Sequence, residues 1–173
     1  MIYDKITISG KICTGKTTLL ESLKRELNWP IFMTGKLFRD YVKKHNLDLE
    51  QVEEQNDKLT KEIDYKVRDL LQKDGNLIVD GWMSGIMAHK LPNVLKILLV
   101  CKDEVRYQRF AEREKINIED AKKKVEERQN NWFEKLEKIY NRNDFVDQKN
   151  YDLIIDTSTV SSEEVLKKVI NMI

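Results

Sequence analysis

Residues 9–19, SGKICTGKTTL, constrain the fold more than any other part of this 173-residue chain. A strand-like run, IYDKITIS (2–9), enters the stretch, and a helix face marked by Leu19, Leu20, Leu23 and Leu27 leaves it. Between them Gly10-Lys11-Ile12-Cys13-Thr14-Gly15-Lys16-Thr17 fits the spacing G-x-x-x-x-G-K-[ST]. Glycine reaches backbone angles closed to other residues, so successive N–H groups can converge on one anion. The helix that follows adds the partial positive charge of its N-terminus. The plainer reading is an ordinary strand-to-helix turn; the sharper one is a phosphate cradle.

The rest of the chain repeats the rhythm of strand and helix. WPIFM (29–33) reads as a weak second strand and TGKLFRDYVKKHN (34–46) as a helix. Val52, Leu59, Ile63, Val67, Leu70 and Leu71 mark a long amphipathic helix, stopped at Asp74-Gly75. NLIVDG (76–81) is a third strand. LKILLVC (95–101) has the composition of a strand buried on both faces. A charged helical stretch fills residues 103–142, and YDLIIDT (151–157) is the last strand. Ser161 and Glu164 have capping-box spacing for a terminal helix. This alternation predicts an α/β three-layer sandwich around a five-stranded parallel sheet of order 2-3-1-4-5. Ligands on such sheets sit at the carboxyl ends of the strands. The loop 10–17, Thr34, Asp80 and Asp156 all fall there.

Two prolines, no repeat and no low-complexity tract predict one domain, 1–173. A net charge of +1 argues for neither nucleic acid nor a membrane surface as partner. No apolar run approaches the roughly 20 residues of a membrane span. The start, MIYDKITIS, does not read as a signal peptide. Cys13 and Cys101 make no disulfide or zinc spacing. The expectation is a cytoplasmic monomer acting on a small molecule.

In the cradle reading, residues 10–18, Thr18 included, surround the phosphates of ATP. Lys16 points into a solvent-filled loop and reaches the β and γ phosphates, and the Thr17 hydroxyl ligates Mg²⁺. Cys13 is a small filler or a redox-sensitive thiol. Asp80, at a strand end, either holds a Mg²⁺ water or orients the acceptor, with Gly81 beside it in the substrate site, or the Asp-Gly pair merely forms a turn. Arg106, Arg109, Arg113 and Arg128 lie in a charge run of the kind that is usually a solvated helix face. Arg109 and Arg113, spaced i, i+4, share one face and could serve phosphoryl transfer from a mobile lid.

In the motifs ITISG…GKTTL, TGKLFRDYVKKHNL, KEID, VDGWMSGIMA, DEVRYQRFAERE, EERQ…EKIY and YDLIIDT…SSEEV, the chain resembles the nucleoside monophosphate kinases. Among them it is most similar to the compact cytidylate kinases of archaea and some bacteria. The resemblance implies a P-loop NTPase fold with acceptor-binding helices at about 34–74 and a lid at about 103–142. It implies ATP- and Mg²⁺-dependent phosphoryl transfer to a nucleoside monophosphate, CMP or dCMP. Arg39 would grip the acceptor phosphate, with Thr34 and Gly35 shaping its pocket. Arg109, Arg113 and Arg128 would serve the triphosphate and the transition state. Asp64 would lie in the acceptor helices, as a base reader or a solvated carboxylate. Three positions depart from the family pattern. Trp82, after Asp80-Gly81, stands where the family has a phosphate-gripping arginine, Lys135 where it has a lid arginine, and Lys36 where it has an acidic residue. These departures leave two alternatives open: a kinase for another small-molecule acceptor, and a nucleotide-binding regulatory module without transfer activity.

Overall fold

β1 (Lys5–Gly10) is the central strand, and all six of its residues are buried. The computed structural model describes residues 3–45 and 57–173; Ile2, Asn46 and Val52, expected in a strand and two helices, lie outside the described residues. β3 (Leu77–Asp80) pairs with one side of β1, from Lys5 opposite Leu77 to Ile8 opposite Asp80. β4 (Val94–Val100) pairs with the other, from Lys5 opposite Val94 to Gly10 opposite Leu99. β2 (Ile31–Met33) flanks β3, and β5 (Leu153–Asp156) flanks β4. The described strands form one parallel sheet in the expected order, β2-β3-β1-β4-β5.

Side chains alternate across a strand, so the neighbours Ile78 and Val79 serve opposite faces. Ile78 joins Ile6, Ile8 and Ile97 under α1 (Lys16–Leu27) and α7 (Ser162–Ile170). Val79 packs with residues of α2 (Thr34–His45), α3 (Asp57–Gln72), the short α4 (Ser84–Met87) and α6 (Ile118–Tyr140). A third cluster, Ile12, Phe110, Ala111, Ala121 and Val125, joins the loop after β1 to α5 (Asp103–Glu114) and α6. The Ser161–Glu164 capping box is formed at the start of α7.

The charged helical stretch at 103–142 consists of two helices, α5 and α6. The chain turns at Lys115, with φ 56°, and restarts where the Asn117 side chain accepts from the Asp120 N–H. A side-chain cap of this kind satisfies a donor that the first turn of a helix leaves unpaired. The charge run on both sides gives no sign of the break, and α4 was not expected either.

Where α3 meets α6, the Tyr140 hydroxyl donates to Asp64 at 2.8 Å, and Lys135 Nζ lies 3.5 Å from Asp57. Burial pushes the Asp64 carboxyl up to about 7, against the opposing effect of the Tyr140 hydrogen bond. The folded state therefore holds this proton more tightly than the unfolded chain, and stability falls as pH rises from the ordinary carboxylate range towards 7. Asp64→Asn removes that dependence and keeps an acceptor for Tyr140. We expect the melting temperature of the variant relative to wild type to rise by about 5 °C or more between pH 4.5 and pH 8. Calorimetry across that range checks it; a gap that does not move with pH contradicts it.

Candidate active site

Gly10 (φ 148°) ends β1 so close to β4 that a Cβ there would meet the Leu99 carbonyl oxygen at 2.4 Å. Gly15 (φ 93°) caps α1 in the left-handed region, and Cys13 (φ 61°) adopts that region without being glycine. Each carbonyl from Gly10 to Thr14 accepts a side-chain hydrogen bond. Lys16 Nζ donates to Gly10 at 2.7 Å and to Lys11 at 2.8 Å, and Thr14 Oγ1 adds a second bond to Lys11. Arg106 Nε donates to Ile12 at 2.8 Å, Arg109 Nη1 to Cys13 at 3.3 Å and Thr157 Oγ1 to Thr14 at 3.0 Å. In a trans peptide the next N–H points the opposite way. The tethers on Ile12, Cys13 and Thr14 thus aim the N–H groups of Cys13, Thr14 and Gly15 away from α5 and β5, as an anion nest requires. Lys16 does not point into solvent: its ammonium lies folded on the loop carbonyls. Burial lowers its pKa, and the neighbouring Asp80 and Cys13 oppose that shift.

A cleft of about 640 Å³ opens over this loop. The loop and the start of α1 give it Ile12, Cys13, Gly15, Lys16, Thr17 and Thr18; Gly10, Lys11 and Thr14 shape the loop without lining the cleft. α2 contributes Thr34, Gly35 and Arg39, and the end of β3 contributes Asp80, Gly81 and Trp82. α5 and α6 contribute Arg109, Arg113, Glu114 and Arg128. A second cavity, of about 210 Å³, adjoins it. The two share Gly15, Thr18 and Arg109, and the smaller one is closed by Leu19, Leu99, Val160 and Val165 with Thr157 and Ser162.

Thr34 Oγ1 donates to the Asp80 carbonyl at 3.1 Å, and a Cβ on Gly81 would meet that hydroxyl at 2.5 Å. Thus α2 seats against the end of β3, and Arg39, one turn in, faces the same space as Asp80. Burial pushes the Asp80 carboxyl up, while Lys16 and Arg39 pull it down. An added cation would favour its ionised form further. The Thr17 hydroxyl and the Asp80 carboxylate are hard oxygen donors on one cleft. Magnesium takes such a set together with phosphate oxygens and water, so these residues fit Mg²⁺. Trp82 both packs and faces the cleft. Its ring meets Phe133 of α6 edge-on, centroids 5.1 Å apart, and lies 5.6 Å from Lys16 Nζ. Arg113 is half-exposed, bonded to Glu114 and stacked on Phe110.

A family model described as an AAA domain matches residues 6–130. The chain is 33% identical to a cytidylate kinase of Methanopyrus kandleri, over 92% of this chain and 87% of that one. A cytidylate kinase of Saccharolobus islandicus is 30% identical over 95% and 88%, and one of Thermoplasma acidophilum 29% over 98% and 92%. The chain belongs to the cytidylate kinase family. It is accordingly a nucleoside monophosphate kinase, a phosphotransferase. Solved structures add the fold alone. An uncharacterized protein from Eubacterium ventriosum superposes with a TM-score of 0.71 at 14% identity, covering 97% of this chain and 96% of that one. A shikimate kinase from Acinetobacter baumannii gives 0.62 at 13% identity, over 98% and 92%.

Two residues read from the family pattern do not reach the cleft. Asp64 and Lys135 sit on the facing sides of α3 and α6, where Asp64 accepts from Tyr140 and Lys135 pairs with Asp57. Asp156 also turns away: it accepts from the N–H and hydroxyl of Ser158, leaving its neighbour Thr157 to hold the loop. Sequence reasoning missed Thr157, Glu114 and the role of Arg106. For Thr157 the available signal was its place just past a strand's carboxyl end.

Gly10→Ala should abolish measurable ATP binding or prevent folding, because the clash is with backbone. Gly75→Ala, where φ is 96° but nothing lies within 4 Å, should cost only about 1 kcal/mol and leave ATP binding intact. Calorimetry with ATP and circular dichroism on both variants check this contrast.

Proposed function

We propose that this chain transfers the γ-phosphoryl group of ATP to CMP or dCMP, giving the nucleoside diphosphate and ADP. The observation that supports it best is the convergence of Lys16, Arg39, Asp80, Arg113 and Arg128 on one cleft, beside a cavity suited to the donor's base. α2 and α3, within about 34–74, form the acceptor side in this reading, and α5 and α6, at about 103–142, form the lid of a single domain. The enzyme works as a cytoplasmic monomer on small molecules. Among the described residues, no helix is long and apolar enough to cross a membrane.

Arg39 grips the acceptor phosphate, and Thr34, Gly35 and Gly81 shape its seat. An oxygen of that phosphate attacks the γ-phosphorus, a new P–O bond forms, and the bond to the β-phosphate oxygen breaks. No side chain acts as nucleophile, so the residues contribute position and charge. Lys16 exchanges the Gly10 and Lys11 carbonyls for phosphate oxygens, and Arg113 and Arg128 meet charge on the transferred group. Arg109 has its Nη groups committed to Cys13 and Thr157 and faces both cavities, which suits it to holding the triphosphate. Mg²⁺ held by Thr17 and Asp80 would neutralise phosphate charge. Lys16→Ala should lower turnover at least 10²-fold. A screen of monophosphate acceptors following ADP release tests the assignment, and undiminished ATP-dependent turnover in Lys16→Ala would overturn it.

Trp82 favours a second reading, a kinase for another acceptor. It has one N–H and no charge where the family grips phosphate with an arginine fork. If CMP is the acceptor, Trp82→Arg should tighten its binding at least several-fold and leave kcat within a factor of a few. Weaker CMP binding in this variant makes the indole itself a ligand contact and turns the assignment towards another acceptor.

A further inference from the structure

We propose that Arg106 is a positioning residue for the transfer reaction, one buried guanidinium that locks the phosphate loop and the lid helix α6 into a fixed mutual orientation. The proposal rests on the phosphoryl-transfer reading above. Arg106 is 1% exposed, and its three hydrogen bonds go to three places. Nε donates to the Ile12 carbonyl at 2.8 Å, Nη2 donates to Gln129 Oε1 at 2.6 Å, and Nη1 pairs with Asp103. Asp103 lies one turn back on the same helix, so that bond holds the side chain's own direction. The other two reach separate elements, the loop and α6.

A guanidinium presents its donors in a rigid plane. Ile12 and Gln129 are therefore held at fixed angles to one another, and not merely near each other. The cluster of Ile12, Phe110, Ala111, Ala121 and Val125 packs the same junction of loop, α5 and α6. Gln129 is the next residue after Arg128, which lines the cleft. Holding one side chain of a helix turn fixes the rotation of that turn, and so the direction from which Arg128 enters. A purely structural role would change the melting temperature and leave the kinetic constants where they were.

Gln129→Ala removes only the α6 tether, at a partly exposed position where folding is retained. We expect kcat with CMP to fall about tenfold with the ATP KM within about twofold of wild type. Gln129→Glu, which keeps the acceptor, should recover wild-type kcat within about twofold. In an Arg128→Ala background, Gln129→Ala should cost less than twofold, because the two changes act through one group. Arg106→Lys keeps the charge but not the fork. It should weaken ATP binding about tenfold in calorimetry without acceptor. Wild-type kcat in Gln129→Ala, independent multiplication of the Gln129 and Arg128 losses, or unchanged ATP binding in a folded Arg106→Lys would each overturn the proposal. If Arg106→Lys does not fold, the Gln129 series decides. Wild-type turnover in the same assay separates failure of this proposal from failure of the kinase reading. Without turnover on any acceptor the lid tether falls with the kinase reading, and ATP calorimetry still decides the loop tether.

Discussion

A carbonyl held by a donor on one side commits the next N–H to the other side of the peptide. Between Gly10 and Thr14 this happens five times in succession, and the donors come from α1, α5, the loop itself and the residue after β5. The phosphate loop is thus held from outside by the elements around it. The sheet must bring those elements to the same level. Gly10 is opposite Leu99 in β4, and the Thr157 N–H donates to the Val100 carbonyl at 2.9 Å, so β1, β4 and β5 finish together. Glycine at position 10 permits that approach, and the left-handed Gly15 opens the helix that follows.

Charge is arranged around the same loop with few exact pairs. Lys16 and Arg39 both bear on buried Asp80, and Trp82 stands between Lys16 and Phe133 of α6. An aromatic face beside an ammonium attracts it without the directional bonds of a carboxylate. It leaves the ammonium free to exchange its carbonyl partners for a ligand's oxygens. An arginine at 82 would instead bring a second positive charge to Lys16, tolerable chiefly when an anion lies between them.

The strand order, the glycine-bounded loop and most helix faces were legible in the sequence because each rests on local pattern. The loop spacing depends on residues within eight positions, and the helix stripes repeat every three or four. The residues that were misread depend on contacts far along the chain. Arg106 looks like its charged neighbours, and its burial follows only from the meeting of residue 12 with residue 129. Asp64 and Lys135 were placed in the site by likeness to a family pattern. The packing of α3 against α6 brings Asp64 to Tyr140 and Lys135 to Asp57 instead. Asp156 and Thr157 differ by one position at a strand end, and only the hydrogen bonds of the turn decide which faces the loop. The break at Lys115 was hidden because charged residues on both sides favour helix equally.

The pairing of β3 with β1 has a bearing on how this chain can change length. Asp80 reaches the cleft as the last residue of a four-residue strand whose register with β1 runs from Leu77 to Asp80. Deleting one residue within that strand would reverse the parity of every side chain before the gap or draw Asp80 away from its level. Just upstream of the strand the backbone answers to different rules. Gly75 has no neighbouring atom where a side chain would project, and the turn it occupies ends before the pairing begins. Insertions can therefore accumulate at residues 73–76 without reaching the carboxylate, whereas the four residues that follow are closed to any change in number.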